Sequence, residues 1–332
     1  MTLQPHIVVA GAGAIGCFVG GLLAAAGHHV TLLGRASVLD QIAGHGLTLS
    51  DFAGLDVHVP ATRLALETDP GCLAGADLVL VSVKTGATAE LAAQIAARCA
   101  DTVPVVSLQN GLEAIGVLTN ALPGRDVRAG MVPFNVVPVA GGRYHRAVSG
   151  DILIGTGSSG DLATVLTVAG LKLRETDRIT AIQWGKLVVN LNNALNALSG
   201  LTILEQLLDR GWRRLMADQM AEALAVLAAA GIDVQPTTPL PARLIPVVMR
   251  LPTGVFRRIA AQMITIDPTA RTSMSYDLAA GKLTEVDALQ GRIVKLGQQA
   301  GVPTPINSRV HKLIHRAERH GPVMLTVKEI RP

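Results

Sequence analysis

The chain has 332 residues, 49% of them hydrophobic and 16% charged, with a formal charge of +4. At ~150 residues per domain this length predicts two domains, each able to bury a core, and the composition excludes a disordered chain. Two Trp, two Tyr and four Phe are poor provision for stacking on bases, so the mild positive charge suits anionic small molecules better than nucleic acid.

Cys17, Cys72 and Cys99 are odd in number and lack paired metal spacing, which indicates neither a disulfide framework nor a zinc site. The apolar run at 7–27 has regularly placed glycines and no basic stretch before it, so it does not read as a signal sequence. No other window offers ~20 uninterrupted apolar residues for a membrane span. A cytoplasmic protein without membrane attachment is expected.

HIVVA at 6–10 is a β-branched run suited to a buried parallel strand. GAGAIG at 11–16 follows at once and leads into the helical pattern CFVGGLLAAAG. In this strand, Gly-x-Gly-x-x-Gly, helix arrangement, Gly11 makes the tight turn, Gly13 lets backbone approach a pyrophosphate, and Gly16 packs helix on strand. The helix start at Ala14 and Ile15 then offers backbone N–H groups and a partial positive charge to phosphates. A glycine-rich packing turn is the plain alternative.

The next strand, HHVTLLG at 28–34, ends in Arg35 with no acid at its tip. NAD-binding folds commonly place an Asp or Glu there for the ribose 2′-hydroxyl, whereas a guanidinium suits a 2′-phosphate through paired charge-assisted hydrogen bonds. NADPH is therefore expected over NADH, against the plainer reading of Arg35 as a solvated loop residue. ADLVLVSVKTG at 76–86 and VPVVSLQNG at 103–111 are further buried strands, ending in Lys84 and Asn110. Ligands of open parallel sheets collect outside the carboxyl ends of strands. Position alone leaves both residues equally explicable as ordinary loop residues, since Asn-Gly is also a common turn. VRAGMV, AVSGDILIG and LKLRET continue the strand-rich pattern to about 176, with GTGSSGD at 155–161 a turn-rich loop between them.

From Ile179 the pattern becomes long, Ala/Leu-rich and helical, with Pro-rich interruptions at 236–246, which puts a domain boundary near 178. The expected domains are 1–178 and 179–332. The helix at 184–200, WGKLVVNLNNALNALSG, carries one Lys and four Asn among apolar residues. At ~100° per residue Lys186, Asn190 and Asn193 fall on one stripe, which must face water or a polar cavity. Lys186 reads as a surface Lys, or as a buried one whose pKa falls toward neutrality and suits proton donation.

Near the end, Gly281 ends one helix and TEVD at 284–287 resembles a capping box, which puts Glu285 in a first turn as a dipole-compensating acid. His311 and His315 share a helical face, with His320 beyond. No nearby acid is read as completing a set of ligands, so a solvated basic helix without a metal is expected.

Taken together, GAGAIG, Arg35, Lys84 in SVKT, Asn110 in LQNG, WGKLVVN at 184–190, Ser273 twelve residues before Glu285, and GVPTPIN at 301–307 resemble the ketopantoate reductase family, the 2-dehydropantoate 2-reductases. The matches run in order along nearly the whole chain. The resemblance implies an α/β protein, with an N-terminal Rossmann domain that binds NADPH. It also implies an all-helical C-terminal domain of the 6-phosphogluconate dehydrogenase-like type and a site in the cleft between the two.

By that likeness Lys186 is the general acid, while Asn110, Asn190 and Asn193 hold the substrate and nicotinamide region. Ser273 binds the substrate carboxylate, Glu285 supports Lys186, substrate and cofactor, and Lys84 lies near the cofactor with Gly11, Gly13, Ala14, Ile15, Gly16 and Arg35. The reaction implied is reduction of ketopantoate to pantoate, a step of pantothenate biosynthesis, with a small 2-oxo acid as partner and room for a homodimer. Ala194 and Ala270 stand where the family often has Asn. Reduction of another branched 2-oxo acid, a 3-hydroxyacid dehydrogenase activity, and an NADPH-binding sensor without catalysis stay open as alternatives.

Overall fold

The computed structural model describes residues 5–148, 150–237, 240–261 and 267–332. Ser149 of AVSGDILIG and part of the Pro-rich stretch at 236–246 lie outside them. The contacts divide the chain into two units, Met1–Thr180 and Ala181–Pro332.

The first unit is α/β. Its strands are β1 (His6–Ala10), β2 (His29–Leu33), β3 (Leu47–Asp51), β4 (Asp56–Val59), β5 (Ala65–Glu67) and β6 (Leu78–Val81). They continue with β7 (Val105–Ser107), β8 (Val127–Met131), β9 (Val136–Val139), β10 (Arg143–Arg146), β11 (Ile152–Gly155) and β12 (Leu173–Thr176). The helices are α1 (Ala14–Ala25), α2 (Ala36–His45), α3 (Thr88–Arg98), α4 (Glu113–Ala121) and α5 (Leu162–Leu166).

The main sheet runs β12-β11-β8-β7-β6-β1-β2-β5. Its β5-to-β8 portion is parallel throughout. Numbered along that portion, the order is the 3-2-1-4-5-6 of a doubly wound dinucleotide-binding sheet. β1 and β6 are buried on both faces, with Ile7, Val8, Val9, Val79 and Val81 at 0% exposure. That double coverage explains why they read as continuous apolar runs instead of alternating ones.

β8 to β11 is an antiparallel junction. A second sheet, β4-β3-β10-β9, was not legible in the sequence. Its strands are short and partly exposed, β9 contains Pro138, and β3 pairs with β10 from 95 residues away at Ser50 and His145. Pro is tolerated because β9 is an edge strand. The GTGSSGD loop is structural: Ser159 N–H and the Arg128 guanidinium both donate to Asp126, and Arg128 also reaches Glu175 and the Gly160 carbonyl.

The second unit has no strand among the described residues. It comprises α6 (Ile179–Asn190) from Ala181 on, α7 (Asn192–Ser199), α8 (Ile203–Leu208), α9 (Arg210–Ala229), α10 (Ile245–Arg250), α11 (Thr253–Ile259), α12 (Ser273–Ala279), α13 (Arg292–Ala300), α14 (Pro305–His320) and α15 (Val327–Ile330). The 301–307 motif is an anchor. Pro305 opens α14, and Glu222 of α9 accepts from the backbone N–H of Ile306 and Asn307 at 2.8 and 3.0 Å. A carboxylate there satisfies the orphan donors and favours the helix dipole.

Arg213, fully buried on α9, donates to the carbonyls of Leu207, Met249 and Leu251 and lies 4.3 Å from the Phe256 ring centroid. Arg213→Ala should destabilise the protein by ~3 kcal/mol or more in denaturant titration, because buried acceptors lose their donor at ~1–3 kcal/mol each. A loss under ~1 kcal/mol would show that water reaches those carbonyls.

Candidate active site

In the first unit Leu33, Ala10, Val81 and Ser107 lie in one row across adjacent parallel strands. The loops that follow therefore leave from the same sheet edge. They carry Arg35, the 11–16 glycines, Lys84 and Asn110, the last two three residues beyond the ends of β6 and β7.

The three glycines sit in different steric surroundings. Gly11 has φ +118°, and a Cβ there would lie 2.6 Å from the Val83 nitrogen. At Gly16 a Cβ would meet the Gly11 carbonyl oxygen, which also accepts a hydrogen bond from Ser82 Oγ at 2.7 Å. Gly13 differs, since a Cβ there would meet only the Ser82 oxygen, at 4.0 Å. It is exposed and caps α1 without any side-chain hydrogen bond. The N–H groups of Ala14, Ile15 and Gly16 precede the first possible intrahelical bond. The cradle thus fits a dinucleotide pyrophosphate, with open space at Gly13 and donors behind it.

Arg35 is exposed at the N-cap of α2, and its guanidinium has no hydrogen bond or ion pair among the described residues. Lys84 and Asn110 are exposed too. Gln109, which sequence reasoning passed over, joins their loops: its buried amide donates to the Val83 carbonyl at 2.9 Å and to Thr88 Oγ1 at 2.8 Å. Its only signal was its place beside Asn110.

In the second unit the segment at 184–200 is not one uninterrupted helix. α6 gives way to α7 at Leu191, whose N–H still bonds the Leu187 carbonyl and whose own carbonyl accepts from the Gln290 amide at 2.8 Å. Gly185 is required by close approach, since a Cβ there would strike the Gln235 carbonyl oxygen.

The four Asn residues then separate into two pairs. Asn192 and Asn196 donate to Gln206 Oε1, each at 3.2 Å. Asn196, fully buried, also accepts from Thr272 N–H and Ser275 Oγ. Asn190 and Asn193 remain half-buried, and their amides have no hydrogen bond among the described residues. Asn192 and Asn196 therefore tie helices together, whereas the Asn190 and Asn193 amides are left for another partner.

Lys186 is itself only partly covered. Desolvation nevertheless lowers its pKa from 10.5 to about 8, with the Glu285 carboxylate opposing that fall. Lys186 and Glu285 thus form an electrostatic pair that includes an ammonium able to give up a proton near neutral pH. Ser273 is exposed in the first turn of α12, with Thr272 as its N-cap.

Two expectations about this region need correction. TEVD does not form a capping box: Glu318 of α14 accepts from both Thr284 N–H and Oγ1 at 2.8 Å, and Asp287 turns elsewhere. Nor is the face of His311 and His315 without an acid. Asp287 Oδ1 lies 2.6 and 2.9 Å from their Nε2 atoms, and Glu318 Oε2 is 2.7 Å from His315 Nδ1. Sequence distance hid the Thr284–Glu318 and Asp287–His311 contacts, whereas Glu318 lies only three residues after His315.

Residues 7–159 match the family described as Ketopantoate reductase PanE/ApbA, and residues 178–318 match Ketopantoate reductase PanE/ApbA C terminal. A 2-dehydropantoate 2-reductase of Halobacterium salinarum is 30% identical over 324 residues, covering 95% of this chain and 100% of that one. The crystal structure of a PanE/ApbA family ketopantoate reductase from Ralstonia eutropha JMP134 has 32% identity and a TM-score of 0.80, covering 95% of this chain and 98% of that one. The ternary structure of D-mandelate dehydrogenase with NADH and anilino(oxo)acetate shares the fold, at 23% identity and a TM-score of 0.77 over 95% of this chain and 98% of that one.

Fold and sequence together define an oxidoreductase with a Rossmann-like N-terminal sheet and a helical C-terminal domain. The chain belongs to the ketopantoate reductase family. Among the described residues, no helix is long and apolar enough to cross a membrane.

Proposed function

We propose that this protein is an NADPH-dependent reductase of a small 2-oxo acid, with ketopantoate as the first candidate. The observation that carries the reading is the coupling of Lys186, its pKa lowered to about 8 by desolvation, to Glu285, with Lys186 and Asn190 on α6 and Asn193 on α7. A cofactor-binding sensor has no need of such a group.

When bound, the nicotinamide supplies a hydride to the C2 ketone. Lys186 donates a proton from Nζ to the oxygen, so that the alkoxide never accumulates, and its positive charge stabilises the developing anion beforehand. Glu285 keeps Lys186 protonated at neutral pH by opposing the fall in its pKa. Asn110, Asn190 and Asn193 position the carbonyl and the nicotinamide amide, and Ser273 binds the carboxylate. The 11–16 turn holds the pyrophosphate, Lys84 lies near the cofactor, and Arg35 takes the 2′-phosphate. The protein acts in the cytoplasm in this reading.

The test is isotope transfer. With deuterium on C4 of the reduced nicotinamide, the label should appear at C2 of pantoate by mass spectrometry. Unlabelled product, or none from any branched 2-oxo acid, would remove the reading.

Cofactor choice follows from the absence of an acid at the tip of β2. Arg35→Ala should weaken NADPH binding by ~1.5–3 kcal/mol, the scale of hydrogen bonds to charged groups, and leave NADH nearly unchanged in fluorescence titrations. Equal losses for both cofactors would assign the 2′-phosphate to another residue.

A further inference from the structure

We propose that Asp287, His311 and His315 bind one divalent transition-metal ion, of which Zn²⁺ is the type, at a site in the helical unit separate from Lys186. His311 and His315 are four residues apart on α14 and so share a face. Asp287 opens a π-helical turn, Asp287–Gly291, whose extra residue per turn aims its carboxylate at α14.

Asp287 Oδ1 and the two Nε2 atoms form a triangle with edges of 2.6, 2.9 and 3.2 Å. Metal bonds of ~2.0–2.1 Å subtend edges of roughly 2.9–3.4 Å, so one ion can reach all three atoms with slight spreading. The remaining coordination positions open to solvent, since the side chains of His311, His315 and Asp287 are 25%, 30% and 74% exposed.

Two further observations point to a built site. Glu318 Oε2 accepts from His315 Nδ1 at 2.7 Å, and Glu318 is itself held by Thr284 N–H and Oγ1. A carboxylate on Nδ1 fixes the tautomer with its lone pair on Nε2, the arrangement typical of metal-binding histidines. Gly291 also leaves room beside the ligand atoms, because a Cβ there would lie 3.1 Å from His311 Nε2 and 3.4 Å from Asp287 Oδ1.

Two imidazoles and one carboxylate suit Zn²⁺, Co²⁺ or Ni²⁺ and are a poor match for Mg²⁺ or Ca²⁺, which prefer all-oxygen sets. An ion there clamps the π-turn to α14, two residues past Glu285. Glu318 acts as a positioning residue.

The experiment is a Co²⁺ titration of tag-free, chelator-treated full-length protein, read by visible d–d absorption. One ion per chain should bind, and Zn²⁺ should displace it. His311→Ala and Asp287→Asn should abolish the band, and Glu318→Gln should weaken binding ~10–100-fold. Circular dichroism checks folding, and Asp287→Asn keeps the test decisive because that side chain is largely exposed. A flat titration of the wild type would overturn the proposal, as would a band unchanged in Asp287→Asn or a thiolate charge-transfer band, which would assign the ion to Cys72.

Discussion

Replacing Lys186 with alanine is expected to lower kcat by roughly 10²–10⁴, the usual worth of a general acid, with NADPH affinity preserved. The expectation rests on burial and charge together. Desolvation lowers the Lys186 pKa to about 8 while Glu285 opposes that fall, so the ammonium persists at neutral pH yet releases its proton readily. A residue that merely bound substrate would raise KM and leave kcat intact.

The sign of the pH dependence follows. Reduction needs the protonated form, so kcat/KM of the free enzyme should be level below the Lys186 pKa of about 8 and decline above it. That alkaline limb should vanish in Lys186→Ala. A variant with near-normal kcat, or one that retains the limb, would assign the proton to another group.

The second large effect concerns substrate choice. A site that hydrogen-bonds a substrate hydroxyl can reject the analogue lacking it by ~10⁴–10⁵, because its own polar groups are then left unpaired. By the resemblance drawn from the sequence, Ala194 and Ala270 stand where Asn is expected, and two residues that could compensate are already engaged. Asn196 is fully buried and bonds Leu201, Gln206, Thr272 and Ser275. Thr272 Oγ1 bonds the Asn193 carbonyl and Ser275 Oγ. Among the described residues, the amides of Asn193 and Asn190 have no hydrogen bond.

The kcat/KM ratio of ketopantoate over 2-oxoisovalerate, which lacks the hydroxymethyl group, should therefore fall below ~10³, reflecting fewer hydrogen bonds at ~0.5–1.5 kcal/mol each. Ala270→Asn should raise it. A wild-type ratio above ~10⁴ that is unchanged in the variant would show that the hydroxyl is gripped elsewhere.

The parts of the fold that could be read from sequence are those fixed by local pattern. β1 and β6 read as apolar runs because both their faces are covered, and Gly11 and Gly16 mark backbone approaches that a side chain would block. What resisted reading depends on partners far along the chain. The RYHR strand at 143–146 earns its pairing only from β3 and β9. Thr284 looked like a capping residue until Glu318, 34 residues on, took its N–H.

The amides of the 184–200 segment illustrate the same limit. Periodicity put Lys186, Asn190 and Asn193 on one stripe, but only Gln206, Thr272 and Ser275 reveal that Asn192 and Asn196 are structural. The acid that completes the His311–His315 face lies 24 residues before His311, on a π-turn with no reliable sequence signature.

The most direct measurement is NADPH fluorescence on the full chain, with and without ketopantoate, for the wild type and Lys186→Ala. The account predicts that both proteins bind NADPH and that only the wild type consumes it at an appreciable rate when ketopantoate is added. NADPH bound by the wild type but left unconsumed with ketopantoate and every other branched 2-oxo acid tried would contradict it.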